Sequence, residues 1–301
     1  MASAVVALPG TVMMLGAVDV GKTTTATHLA AAAARAGVAA AVVDADTGQS
    51  DLGPPAAVGW GPVRTPVRRM DAIPPAGLWF VGDTTPQRVY RYLLQGTLEL
   101  TRRARREGAE IVVVDTTGWI EGAGAAAKVR KIRLLAPRHL VAIQRGCEAE
   151  PILARVSHDT VVHRLRPAPA VRRRSAAERR ARREGRFAAY FAGAAELVLD
   201  LRDVIPQRPA VYRGRRVAPS RVLADIPRDA LRHLLVGLAA RRGTIMAMGT
   251  IVDVDPVGRR LVVAAPNVAA RAVRCVQWGV LRVTPRGREA GRLFDRMGAP
   301  A

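Results

Sequence analysis

Gly16-Ala17-Val18-Asp19-Val20-Gly21-Lys22-Thr23 places two glycines with four residues between them and closes on a lysine and a hydroxyl. Glycines at those positions let successive backbone N–H groups curl around a phosphate. A helix starting at the end of such a loop adds the positive end of its dipole. Lys22 can then bridge the outer phosphates of a nucleotide, and the Thr23 hydroxyl can ligate Mg²⁺. Gly16, Asp19, Val20, Gly21, Lys22, Thr23 and Thr24 are therefore the expected nucleotide-binding residues.

Two further segments carry carboxylates. In Val42-Val43-Asp44-Ala45-Asp46-Thr47-Gly48-Gln49, Asp44 and Asp46 leave the end of an apolar run. Residues i and i+2 share a strand face, so both would look toward a triphosphate if the strand continues. One could help hold Mg²⁺ through water, and the other could accept a proton from an attacking hydroxyl. Gln49 could orient the phosphate or the hydroxyl. In Ile111-Val112-Val113-Val114-Asp115-Thr116-Thr117-Gly118-Trp119, four apolar residues end in an aspartate, the pattern of a strand that brings a carboxylate into a metal shell. The expected metal residues are Thr23, Asp44 and Asp115. Thr116 and Gly118 would let the backbone approach the outer phosphate, and Trp119 offers a face on which a terminal base could stack.

Between residues 171 and 186 the chain reads VRRRSAAERRARREGR, with eight arginines against two glutamates. A helix with so little apolar face suits a lid that closes on phosphates late in a reaction. Arg179 and Arg183 are its expected acting residues, with Arg182 and Arg186 competing for the role.

These residues need a scaffold that brings loop ends together, and the apolar patterning supplies one. Strands are expected at 11–15, 38–44, 110–115 and 139–143, and helices at 23–36, 85–107 and 123–135. Gly37 and Gly108 stop two of the helices, and Pro86 opens one. Residues 47–82, rich in Gly and Pro, read as irregular, with a short strand near Leu78–Val81. The rhythm is that of a doubly wound, mainly parallel α/β sheet. After about residue 200 the Val-, Ile- and Thr-rich runs at 244–254, 260–265 and 272–283 predict a smaller β-rich domain. The expected division is a P-loop domain over 1–200, with its lid at about 165–191, and a C-terminal domain over 201–301.

Composition narrows the classes. The chain has 301 residues, and 47 Lys+Arg oppose 25 Asp+Glu for a net charge of +22. All but three of the basic residues are arginine. Such a surface attracts polyanions, although an Arg-rich proteome produces the same excess. Two cysteines cannot build a disulfide framework or a four-ligand zinc site. Apolar runs end well short of a membrane span, and the N-terminus lacks the basic start of a signal peptide, so a soluble, cytoplasmic protein with no membrane partner is expected. No Asn-Lys-x-Asp follows a late strand, which weighs against a GTPase.

The ordered set of blocks resembles the P-loop polynucleotide 5′-hydroxyl kinases, the group with the RNA kinases of pre-mRNA cleavage factor and of ribosomal RNA processing. The matching pieces are 19–23, 43–55, Phe80–Pro86, Asp115–Trp119 with Gly122 and Lys128, and the arginine segment through Phe191; together they cover about residues 11–195. The resemblance implies ATP and Mg²⁺ as cofactors and RNA or DNA 5′-hydroxyl ends as partners, while protein partners are unspecified. It implies catalytic roles for Lys22, Asp46, Gln49, Arg179 and Arg183, with Asp46 as general base. Gln49, Thr116, Gly118 and Trp119 would bind substrate, the last three in a clasp that also helps fix the loop lysine. Eukaryotic members have an additional β domain before the phosphate loop, whereas here the first strand begins near residue 11. Two other readings stand beside this one: an ATP-binding assembly protein of a nucleic-acid processing complex, and a small-molecule P-loop kinase or ATPase. The presence of Lys22, Thr23, Asp46, Gln49 and Asp115 together favours an enzyme.

Overall fold

The computed structural model describes residues 1–212, 215–240 and 245–293. They pack as two units, one formed by Met1–Leu78 with Thr85–Arg179, the other by Trp79–Thr84 with the described residues from Arg180 onward.

In the first unit the elements are α1 (Ala2–Ala7), β1 (Thr11–Leu15), α2 (Lys22–Arg35), β2 (Ala40–Ala45), β3 (Ala57–Val63), β4 (Gly77–Phe80, whose end enters the second unit), α3 (Pro86–Arg106), β5 (Ile111–Thr116), α4 (Ala123–Leu135), β6 (His139–Ile143), α5 (Glu150–Leu153) and β7 (Val161–Leu165). Strand order is β3-β2-β5-β1-β6-β7, parallel except for β3. The central strands are apolar throughout because both faces are covered. Along β1, Val12 and Met14 join one cluster with Leu29, Val42 and Val113, while Met13 and Leu15 join another with Val129, Ile132 and Leu140. The expected α/β class and order of central strands and helices hold. Gly37 and Gly108 sit in the left-handed region just past α2 and α3, as helix stops require.

The expectation of irregular chain over 47–82 is corrected by β3, which pairs antiparallel with β2 from Ala40↔Val63 to Asp44↔Gly59. Its glycines are there for space. A Cβ on Gly59 would lie 1.8 Å from the Leu52 carbonyl oxygen, and one on Gly61 would lie 2.4 Å from that of Pro74. Neighbouring loops press so closely on the strand that its composition mimics a turn. The short expected strand at 78–81 appears one residue earlier, as β4.

α6 (Ala176–Phe191) carries the chain from the first unit into the second. It begins later than the arginine run because Ser175 and Glu178 cap it reciprocally: Glu178 N–H donates to Ser175 Oγ at 3.1 Å, and Ser175 N–H donates to Glu178 Oε2 at 2.7 Å. The second unit adds β8 (Ala195–Asp200), β9 (Ile205–Gln207), β10 (Ala210–Tyr212), β11 (Arg215–Val217), α7 (Val222–Asp225), α8 (Arg228–Leu231), β12 (Leu234–Ala239), β13 (Ile245–Asp255), β14 (Arg260–Ala265), β15 (Cys275–Val283) and β16 (Glu289–Arg292). Its sheet is mainly antiparallel, ordered β16-β15-β12-β13, with β14 on β13 and β8 on β14. The expected β-rich character is present. The start of the expected strand at Thr244, and residues 294–301 of the expected C-terminal domain, lie outside the described residues.

Candidate active site

β1 delivers the chain into the loop at Gly16, where φ is +151° and a Cβ would lie 2.2 Å from the Ile143 carbonyl oxygen. Gly21, at φ +91°, is the N-cap of α2, and Asp19 is also left-handed at φ +53°. Only glycine takes such backbone without strain, so Asp19 is held there by its surroundings. Val20 is buried beneath the loop, and Thr24 is exposed on the first turn of α2. Lys22 is buried, with Nζ donating to the Ala17 carbonyl at 2.6 Å. Burial lowers its pKa, and the charges of Asp115, Asp46 and Asp19 oppose that drop. Thr23 Oγ1 donates to Asp115 Oδ2 at 2.5 Å.

The carboxylates arrive through strand register. Asp44 on β2 lies opposite Asp115 on β5, so both come to the same edge of the sheet. Asp44 accepts four hydrogen bonds: Oδ1 from Asp46 N–H at 3.0 Å, and Oδ2 from Asp51 N–H at 2.7 Å, Leu52 N–H at 3.0 Å and Ser50 Oγ at 3.1 Å. Burial, then the charge of Asp115, push its carboxyl up to about 8, against the backbone donors that favour the ionised form. Asp115 is pushed up to about 6 by burial, with Lys22 and the Thr23 hydroxyl pulling it back.

β2 does not continue through Asp46, as a shared outlook for the two aspartates would require; it ends at Ala45. Asp46 instead turns back on Asp44, and its Oδ1 caps the next turn by accepting N–H bonds from Gly48 and Gln49, both at 3.1 Å. Gln49 Nε2 donates to the carbonyls of Gly48 at 2.7 Å and Arg179 at 3.2 Å.

Beyond Asp115, Gly118 presses on the phosphate loop so closely that a Cβ would lie 2.4 Å from Val18 N. Thr116 Oγ1 donates to the Met14 carbonyl at 2.8 Å. Lys128 on α4 is buried and reaches the same turn, donating to the Thr117 carbonyl at 2.6 Å and Thr116 Oγ1 at 2.7 Å. Half-buried Trp119 meets Tyr90 edge-to-face, with ring centroids 6.2 Å apart. A Cβ on Gly124 would lie 2.6 Å from the Trp119 ring, so the start of α4 backs the indole.

The two expected lid arginines have different partners. Arg179 lies 3.5 Å from Asp19 Oδ2 and donates to the Arg174 carbonyl at 2.5 Å. Arg183, in the second unit, is held by both oxygens of Glu289, at 2.5 and 3.2 Å.

The loop at 16–23, Asp44 and Asp115, and the turn through Gly118 thus converge at one sheet edge. The profile of the family described as mRNA cleavage and polyadenylation factor CLP1 P-loop matches residues 16–193. The chain belongs to that family. Polyribonucleotide 5′-hydroxyl-kinases of Pyrococcus furiosus and Methanocaldococcus jannaschii are each 27% identical to it, aligning 96% of this chain with 91% of theirs. A solved complex of Clp1p with Pcf11p has the same fold, with a TM-score of 0.70 at 12% identity, covering 94% of this chain and 77% of that one. The matched span holds every expected site residue of this CLP1-family chain.

Two residues that the reading of the motifs passed over also touch the site: Tyr90, against Trp119, and Arg174, which lies in the arginine segment but was not among its expected acting residues. Lysine scarcity was a usable signal: the three lysines, Lys22, Lys128 and Lys131, are all buried, at 6%, 3% and 2% exposure. In a chain whose other cations are all arginine, a lysine marks a place where a compact point charge is needed. Among the described residues no helix is long and apolar enough to cross a membrane.

Proposed function

We propose that this chain is an ATP-dependent kinase that transfers the γ-phosphoryl group to the 5′-hydroxyl end of RNA or DNA. The observation that carries the reading is the placing of Asp46. Its backbone N–H is tied to Asp44 and its Oδ1 to the turn at Gly48 and Gln49, and its charge acts on Lys22. Oδ2 is thereby aimed by three bonds and left for a hydroxyl. The kinase names of the relatives support the same reaction.

Residues 16–23 grip the triphosphate with backbone N–H groups, and Lys22 exchanges the Ala17 carbonyl for phosphate oxygens. Thr23 and Asp115 offer hard oxygen donors 2.5 Å apart at the loop's end and fit Mg²⁺. When bound, that ion neutralises charge shared between the outer phosphates. Asp44 accepts four hydrogen bonds within the turn, three of them on Oδ2, so its part is to shape the residues that carry Asp46. Asp46 takes the proton of the attacking 5′-hydroxyl, Gln49 orients that hydroxyl, and Trp119 stacks the terminal base. Arg179 faces the transferring group, while Arg183 is held by Glu289. A loose transition state asks little of the base, so positioning and electrostatics carry most of the acceleration.

The test is transfer of label from γ-labelled ATP to matched 5′-hydroxyl RNA and DNA oligonucleotides, with Lys22→Ala as control. Transfer that Lys22→Ala abolishes is expected. ATP binding with no transfer under any divalent metal would leave a nucleotide-binding assembly protein instead.

A further inference from the structure

Asp19 is the acidic residue within the phosphate loop, where a negative charge opposes the binding of phosphates. Its side chain is 9% exposed. Three groups of the arginine segment converge on it: the Arg174 N–H at 3.0 Å, the Arg174 guanidinium at 3.8 Å and the Arg179 guanidinium at 3.5 Å. Its carbonyl accepts a fourth contact, from Arg145 Nη2 at 2.7 Å. The segment also touches the loop at Gly21, where a Cβ would lie 3.6 Å from Val171 Cγ2. Gln49 holds the Arg179 carbonyl from the other side.

We propose that Asp19 is a positioning residue that stores Arg174 and Arg179 over the phosphate loop until the outer phosphates of the nucleotide displace it as their anionic partner. A surface ion pair would have little consequence. This carboxylate is nearly buried, shared by two guanidiniums and fixed on strained backbone, so it is more than an exposed ion pair. The exchange is one anion for another. The arginines leave a single carboxylate for a more highly charged phosphate, and Asp19 then lies beside the bound nucleotide. The loop thus makes ATP affinity depend on the competition between Asp19 and phosphate, whereas a nucleotide without outer phosphates feels little of it. Arg174 becomes the second phosphate-facing arginine of the first unit, beside Arg179.

The inference rests on the nucleotide-binding reading of the loop, and the test separates the two. Hydrogen exchange is followed on the nucleotide-free full chain, and ATP and AMP affinities are measured by calorimetry without any oligonucleotide. Asp19→Asn keeps an acceptor for the Arg174 N–H and removes the charge. It is expected to speed amide exchange across residues 172–179 and to tighten ATP binding about fivefold while AMP affinity stays near that of the wild type. Arg179→Gln, which leaves the loop intact, is expected to speed the same exchange while weakening ATP. Unchanged exchange in both variants, or a parallel weakening of ATP and AMP in Asp19→Asn, would overturn the proposal. Failure of the wild type to bind ATP any better than Lys22→Ala would instead sink the nucleotide reading itself.

Discussion

Lys128 Nζ donates to the Thr117 carbonyl at 2.6 Å from within the interior of the first unit, so a buried ammonium holds the turn that backs the phosphate loop. Its other bonds go to the hydroxyls of Thr116 and Thr117, at 2.7 and 3.4 Å. Burial holds its pKa well below the usual lysine value, and the charges of Lys131 and Lys22 push the same way. Removing it exchanges the cost of a buried charge for that of unsatisfied acceptors.

Lys128→Met is therefore expected to leave thermal stability within about 1–2 kcal/mol of the wild type, because those two costs oppose each other. Transfer should fall about tenfold or more, the equivalent of roughly 1.4 kcal/mol, mainly in kcat. Steady-state kinetics beside a melting curve checks this. A loss of stability with kcat intact would make Lys128 a fold residue only.

Gly118→Ala tests the contact between clasp and loop. Its methyl would sit 2.4 Å from Val18 N, which is backbone and cannot swing aside. The loop must shift, and ATP affinity should fall by about tenfold or more while the second unit is untouched. Calorimetric titration with ATP reads the effect directly.

Lys131 sets a pH dependence. Burial lowers its pKa to about 8, and its Nζ donates to Thr97 Oγ1 at 3.2 Å. The unfolded chain then holds the proton more tightly than the folded one between pH 8 and the ordinary lysine range. Stability contributed by this group rises as pH climbs through that window. Lys131→Met should be more stable than the wild type at pH 7, by on the order of 1–3 kcal/mol, and the gain should vanish above about pH 10. Denaturant melts of both proteins from pH 7 to 10 measure the difference.

Arg179 and Arg183 are expected to part company. Arg179→Gln removes the cation paired with Asp19 and should cut transfer by about two orders of magnitude, as loss of a phosphate-facing arginine does. Arg183→Gln breaks the pair with Glu289, in which the two side chains are 18% and 10% exposed, and should cost the second unit about 1–3 kcal/mol. Melting curves and label transfer on both variants separate the effects. A larger kcat loss in Arg183→Gln would identify it as the acting lid arginine.

Much of this protein was legible in its chain. The apolar runs of β1, β5 and β6, with glycines closing α2 and α3, dictated a parallel α/β sheet because strands covered on both faces leave no polar positions. The loop at 16–23 and the aspartates at 44, 46 and 115 were visible because phosphate chemistry demands those types at strand ends. Tertiary structure decided the rest. It made a strand of Ala57–Val63, whose glycines answer to the Leu52 and Pro74 carbonyls rather than to a turn. It stopped β2 at Ala45 and so split Asp44, which organises the turn, from Asp46, which the turn presents. It paired Arg179 with Asp19 and Arg183 with Glu289, and it buried Lys128 and Lys131 between helix and sheet or helix and helix. None of these follows from spacing along the chain, because each depends on which distant group fills the space beside a side chain. Periodicity reports which face of an element is covered, and only the packed structure says by what.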